Sequence, residues 1–313
     1  MPQPPEPLRI VFAGTPDVAV PALRAIHADP RLDLVGVVTR PDAPLGRKRV
    51  LTPSPVAQAA AELGAPVVKA AKLDDAATDE ILAMRPELGV IVAYGGLVRE
   101  PLLSGPRHGW VNLHFSLLPA WRGAAPVQRS LMAGDARTGA AVFQLVPELD
   151  AGDVFAALSY EPGAEATAGE VLSALAAEGA PLLADTAAAI GAGTARSVPQ
   201  EGEPTYAHKL AIADGLLDFS LPSAEVLNRF RGVTPEPGAH TTLGGERFMI
   251  RAMGLAGDAD PLEPGRLRAA GRRVLVGTGD APLALETVQP AGKPRMAAAD
   301  WLRGQRDDVV LGS

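Results

Sequence analysis

The chain has 313 residues, 47% hydrophobic and 21% charged, with a formal net charge of −7 and a pI of about 5.3. At roughly 100–200 residues per domain this leaves room for two domains with real cores, and the balance excludes global disorder. The absence of cysteine removes disulfides, thiolate metal sites and thiol nucleophiles, and the acidic balance speaks against bulk electrostatic binding to nucleic acid.

Met1–Arg9 is proline-rich and polar and lacks the basic and apolar regions of a secretory signal. Arg9–Ala13 reads as a buried strand leaving into Gly14-Thr15-Pro16. Asp17–Ala28 has helical spacing, and Leu34–Thr39 is a second strand. Pro53–Leu63 is a helix with proline in its first turn and Gly64 as its stop. Pro66–Val68 is a short strand, Asp74–Met84 a helix, and Leu88–Tyr94 and Gly109–His114 two further strands. Gly123–Ala133 follows as a helix and Gly139–Val146 as a strand. Alternating strands and helices predict a Rossmann-like α/β domain built on a mainly parallel sheet. With aromatics at 4%, its core must be mostly Ala, Val and Leu.

Ala166–Gly193 is an Ala-rich helical stretch, and the polar, proline-containing Ser197–Thr205 reads as a linker. Beyond it, Gly244-Gly245 and Gly279-Asp280 each sit between strand-like pieces and predict two hairpins. The C-terminal region therefore reads as a small β-barrel, OB-like in size. The expected division is 1–196 for the catalytic domain, 197–207 for the linker and 208–313 for the barrel. No apolar run approaches the roughly 20 residues of a membrane span, and the cytoplasm is the expected compartment.

Few residues offer chemistry. The five histidines fall at no metal-motif spacing such as HExxH, so no metal is expected. The turn after the first strand lacks both GxGxxG and GxxxxGKS, which argues against NAD or ATP there. Asn112 and His114 lie two apart at the C-terminal end of a predicted strand, on one face, where open α/β sheets place ligands. An amide donor beside an imidazole suits a developing oxyanion. Asp150 follows the next strand, where a carboxylate can hold the imidazole in its charged form or move a proton. The same three residues also fit plainer roles: a structural histidine, an Asn cap and an Asp that starts a turn.

The chain resembles the folate-dependent formyltransferases, and among them the bacterial methionyl-tRNA formyltransferases, over about residues 8 to 306. RIVFAGTPD, RPDAPLGRKR, LTPSPVAQ, VAYGGLV, NLHFSLLPAWRGAAPVQRSLMAGD, ELDAGD, TYAHKL and VQPAGK occur in the family's order. The resemblance implies Asn112, His114 and Asp150 as catalytic trio. It implies Ser116, Leu117, Leu118 and Pro119, with Ala93, Tyr94 and Gly95, as contacts of the cosubstrate 10-formyltetrahydrofolate, which leaves as tetrahydrofolate. It places Arg47, Lys48 and Arg49 in a basic, tRNA-binding loop (40–52), with Arg122, Lys209, Lys293 and Arg295 as further tRNA contacts. The acceptor would be initiator methionyl-tRNA, with no DNA or membrane partner and a monomeric enzyme.

Two departures stand out. Phe115 replaces the family's small glycine before Ser116, and Arg231-Gly232-Val233-Thr234-Pro235-Glu236 stands where the family has Arg-Ala-Phe-Asn-Pro-Trp. Three other readings remain open: formyl transfer to a nucleotide or sugar amine such as glycinamide ribonucleotide, hydrolysis of the folate, or a catalytically silent tRNA- or folate-binding module. Residues 40 to 49 carry a net +3, and this local cluster must serve any tRNA contact that the acidic whole disfavours.

Overall fold

The computed structural model describes residues 6–46, 48–305 and 309–312, in two compact units. The first holds the residues up to Ala124, with Gly139–Tyr160 and Leu172–Tyr206. The second holds Ala125–Thr138, Glu161–Val171 and the chain from Ala207 on.

In the first unit the chain runs β1 (Leu8–Gly14), α1 (Val20–Ala28), β2 (Leu32–Thr39), β3 (Ala43–Leu45), β4 (Val50–Thr52), α2 (Pro55–Glu62), β5 (Val67–Lys69), α3 (Asp75–Ala83), β6 (Leu88–Val92), β7 (Trp110–His114) and β8 (Arg122–Gly123). Helix α4 (Pro126–Ala133) belongs to the second unit, and β9 (Thr138–Gln144), β10 (Val154–Tyr160) and α5 (Ala168–Gly191) follow. Seven strands form one sheet in the order β10-β9-β7-β6-β1-β2-β5. β1 pairs in parallel with β2 and β6, β6 with β7 and β2 with β5, while β9 runs antiparallel to β7. This is the expected Rossmann-like fold with an antiparallel edge. The strand order reverses between β1 and β6, the crevice where such sheets bind ligands.

Local chemistry explains these elements. Ser54 caps α2 by accepting from Ala57 N at 3.0 Å, with Pro55 at the first helical position. Asp74 does the same for α3. Gly89 is needed for packing: a Cβ there would lie 2.1 Å from the Trp110 ring, which covers it. Trp110 Nε1 donates to Leu102 O at 2.8 Å, so the indole is fully buried without an orphaned donor.

The second unit continues with β11 (Tyr206–Ala207), α6 (Ser223–Gly232), β12 (His240–Leu243), β13 (Glu246–Leu255), β14 (Leu267–Ala270), β15 (Arg273–Val276), β16 (Leu283–Gln289), β17 (Met296–Ala297) and α7 (Ala298–Arg303). Its antiparallel sheet runs β12-β13-β16-β15-β14, with β17 on β16. Gly244 and Gly245, both at positive φ, make the turn of the first expected hairpin. β15 and β16 form the second, and an unforeseen third hairpin turns at Gly271.

The C-terminal segment ties the sheet's two edges. Leu311 N donates to Gly265 O beside β14, and Gly312 N to Thr242 O in β12, closing the strands as a small barrel. The barrel core includes Phe248, Trp301, Phe230, Val288 and Leu285. Residues 161–171 join this unit because the buried Arg231 donates to Ala166 O and Gly163 O. Among the described residues no helix is long and apolar enough to cross a membrane.

Candidate active site

The C-terminal ends of β1, β6 and β7 meet at one place. Thr15, just after β1, donates from Oγ1 to Tyr94 O at 3.1 Å, and Tyr94, buried after β6, donates its hydroxyl to Ala70 O at 3.1 Å. These bonds hold Ala93 and Gly95 exposed on either side, both at positive φ (48° and 77°).

Asn112 lies within β7, opposite Ile91 of β6 and Phe143 of β9. Its Oδ1 is buried with no hydrogen-bond partner. A buried carbonyl oxygen left without a donor is costly, and here it stands at the sheet's ligand-binding crevice.

His114 ends β7 with 6% of its surface exposed and its ring edge-on to Phe143. Nε2 bonds the Trp121 carbonyl at 2.9 Å, and Nδ1 lies 3.8 Å from Asp150 Oδ2. The carbonyl can only accept, so Nε2 carries hydrogen and the neutral ring presents a lone pair at Nδ1. Burial pushes the imidazolium below its ordinary range, against the pull of the Asp150 carboxylate and the Trp121 carbonyl. Burial thus favours the neutral imidazole, while the neighbouring carboxylate favours the charged form.

Asp150 sits between β9 and β10, and its Oδ2 accepts from Gly123 N at 2.8 Å. Its φ is +47°, and Trp121 has φ +61°. Left-handed non-glycine residues cost on the order of 1–3 kcal/mol each and persist where surrounding contacts over-determine them. Here they include Ala93 and the two residues that face His114.

The remaining expected contacts divide. Ser116 is fully buried and donates to Ala120 O at 2.6 Å, so its hydroxyl holds the turn. Leu117, Leu118 and Pro119 are half-exposed. Phe115 is buried. Two large apolar side chains lie exposed on the site's loops, Leu97 after Gly95 and Leu149 before Asp150; neither was foreseen. Also unforeseen is Gln200, whose carboxamide bonds Arg122 and the loop of Asp150. It lies in a polar stretch with no pattern to mark it.

The basic insertion is an ordered hairpin of β3 and β4, with Lys48 and Arg49 at its turn; Arg47 lies outside the described residues. Asp42 pairs with Lys69 at 2.6 Å, which leaves the turn positive. In the second unit Lys209, Lys293 and Arg295 are all exposed. Burial, then Arg295 and Arg247, hold the Arg251 guanidinium below its ordinary pKa, so these three cations lie near one another. Among the described residues none of the three makes an ion pair. Sequence reasoning missed Arg247 and Arg251, which are set among the apolar residues of β13 and form no basic cluster in the sequence. Among the described residues no group of three or more His, Asp or Glu is placed to hold a metal ion.

Residues 8–186 match the formyl transferase family, and residues 209–306 its C-terminal domain. The chain belongs to the formyl transferase family. The methionyl-tRNA formyltransferase of Leifsonia xyli subsp. xyli is 61% identical over 97% of this chain and its own full length. That of Clavibacter sepedonicus is 59% identical, with 97% of this chain and 99% of the relative covered. Among solved structures, a sugar 3N-formyl transferase crystallised with dTDP and 5-N-formyl-THF aligns with a TM-score of 0.67 at 14% identity, over 92% of this chain and 99% of that one. HypX of Aquifex aeolicus, in complex with tetrahydrofolic acid, aligns at 0.65 and 14% identity, over 98% of this chain and 51% of that one. At these identities the structural likeness carries the formyl transferase fold.

Proposed function

We propose that this formyl transferase moves the formyl group of 10-formyltetrahydrofolate to the α-amino group of methionyl-initiator tRNA, giving formylmethionyl-tRNA for translation initiation. The observation that carries the chemistry is the buried His114–Asp150 pair beside the unsatisfied Asn112 amide. The acceptor is supported by identity along the whole chain to relatives named for methionyl-tRNA.

The folate is consumed once per turnover and is written as a substrate. Asn112 fits the reaction: its buried Oδ1 has no hydrogen-bond partner and can accept from the incoming amine, while its Nδ2–H is the donor for the formyl oxygen. Ala93, Gly95, Leu117, Leu118 and Pro119 offer backbone and apolar surface around it, and Leu97 and Leu149 add exposed apolar area.

The amine attacks the formyl carbon, and the carbonyl oxygen takes up negative charge. Asn112 Nδ2–H donates to that oxygen. His114, neutral at the outset, accepts the ammonium proton at Nδ1, with Asp150 stabilising the cation that forms. The new imidazolium then sits beside the oxyanion, so its attraction appears only as the barrier is climbed, which is where it accelerates the reaction. The proton passes to the folate nitrogen as the carbon–nitrogen bond breaks, and His114 returns to neutral. An amine leaving group needs only this proton.

The hairpin bearing Lys48 and Arg49 serves the tRNA, as do Arg47, adjacent to them in sequence, Arg122 and, on the second unit, Lys209, Lys293, Arg295, Arg247 and Arg251. The acidic remainder limits adhesion to other RNA. In this reading the enzyme is a cytoplasmic monomer that requires no metal, membrane or DNA.

Purified protein given 10-formyltetrahydrofolate labelled in the formyl group, with methionyl-tRNA, with glycinamide ribonucleotide or with no acceptor, tests the proposal. Label is expected on methionyl-tRNA. Transfer only to the small amine, or release as formate at the same rate without acceptor, overturns it.

A further inference from the structure

Gln200 makes four hydrogen bonds through one carboxamide. Its Oε1 accepts from Arg122 Nε at 3.1 Å and Nη2 at 2.6 Å. Its Nε2 donates to Asp150 O and to Gly152 O, each at 2.8 Å. A guanidinium only donates and carbonyls only accept, so the chemistry of the partners fixes which end of the amide is oxygen. Both lone pairs and both hydrogens are used. No other side chain of this length offers two donors and a two-fold acceptor in one plane.

The neighbouring strap repeats the device at the other member of the pair. Thr205 Oγ1 accepts from Trp121 N at 2.8 Å, and Thr205 O from Arg122 N at 2.9 Å. Trp121 in turn supplies the carbonyl that orients His114. Residues 198–205, which in sequence read as a connector, therefore grip both strained backbones that face each other across the pair. Val198 pairs with Val154 at the base of β10 and anchors the strap's start.

We propose that Gln200 is a positioning residue for formyl transfer, holding the left-handed backbone of Asp150 so that its carboxylate faces His114 Nδ1, with Arg122 as the anchor on its other side. This rests on the reading of Asp150 as the proton-handling partner of His114. Two carbonyls in one turn are pulled to one amide, and without it nothing else among the described residues binds the Asp150 carbonyl. The strap thus makes the active site depend on the segment that leads to the barrel.

Gln200→Glu separates the two sides of the amide. It keeps an acceptor for Arg122 but sets an oxygen against the Asp150 and Gly152 carbonyls. Its kcat on methionyl-tRNA is expected to fall about tenfold to a hundredfold, the scale of an ångström-sized misplacement. In an Asp150→Asn background the same substitution is expected to change kcat by less than about threefold, because its effect runs through the lost carboxylate. Wild-type kcat in Gln200→Glu overturns the inference, as does an equal loss in both backgrounds, which marks general loosening. Near-normal kcat in Asp150→Asn alone overturns the underlying reading instead. If Gln200→Glu does not fold by thermal unfolding, Gln200→Asn, a carboxamide one methylene short, is measured against the same outcomes.

Discussion

Nδ1 of His114 faces Asp150 Oδ2 across 3.8 Å, while Nε2 of the same ring is committed to the Trp121 carbonyl. One ring edge is anchored and the other is left for a proton in transit. Burial lowers the folded pKa of His114 below the unfolded value near 6.5. Above 6.5 both folded and unfolded chains carry the neutral ring, and the shift costs nothing. As pH falls below 6.5 the unfolded chain binds the proton first, so stability is lost over that window until the folded ring titrates too. Urea unfolding of the wild type should therefore lose more stability between about pH 8 and pH 5 than that of His114→Asn. The acid limb of kcat/KM should fall below 6.5 and belong to the pair as a whole. An acid limb above 7 would contradict a neutral starting ring.

Asn112→Ala should cost about 10²–10³-fold in kcat, the effect of removing one oxyanion donor worth roughly 2.7–4 kcal/mol. Stability should move the other way or stay level. The Asn112 oxygen is buried without a partner, and deleting an unsatisfied polar group removes its desolvation penalty. Steady-state kinetics and denaturant midpoints on the same preparation check both halves. An inactive variant that is also strongly destabilised would make Asn112 a structural residue.

The parallel sheet was legible because its strands are near-continuous apolar runs separated by capped helices, as at Ser54-Pro55. Asn112 and His114 were legible for the same reason: a strand end in such a sheet is already a candidate ligand site. Strand β10 was not, because FAALSY follows a glycine loop and its exposed residues blur the pattern. The hairpin of β3 and β4 was hidden by Pro44 and its charges, and it leaves Leu45, Val50 and Leu51 exposed, contrary to any core signal. Gln200 could not be found at all. Its meaning depends on Arg122, Asp150 and Gly152, which only the folded chain brings together.

Gly152→Ala should disable the site from the backbone side. An added Cβ would lie 1.8 Å from the Gln144 carbonyl oxygen and 2.9 Å from its carbon, so the β9–β10 turn must open. Overpacking of this kind costs about 1–3 kcal/mol. Because Asp150 sits two residues away in the same turn, kcat should fall with it while KM for methionyl-tRNA stays near the wild-type value. Thermal unfolding and initial rates on one preparation check this, and a variant with normal kcat would show that the turn tolerates displacement.

Neutralising Arg47, Lys48 and Arg49 together should raise KM for methionyl-tRNA and flatten its dependence on salt, while transfer to a saturating acceptor is spared. Removing a cation that neutralises one phosphate lowers the slope of log affinity against log salt by about one. Arg247, Arg251 and Arg295 give a second, independent test, since they lie on the second unit close enough to repel one another. A bound anion would relieve this repulsion, so Arg247→Gln with Arg251→Gln should weaken tRNA binding and flatten its salt dependence. Filter binding across a salt series measures both sets. If the hairpin variant keeps its salt slope and the barrel variant loses it, the barrel carries the phosphate contacts and the insertion does not.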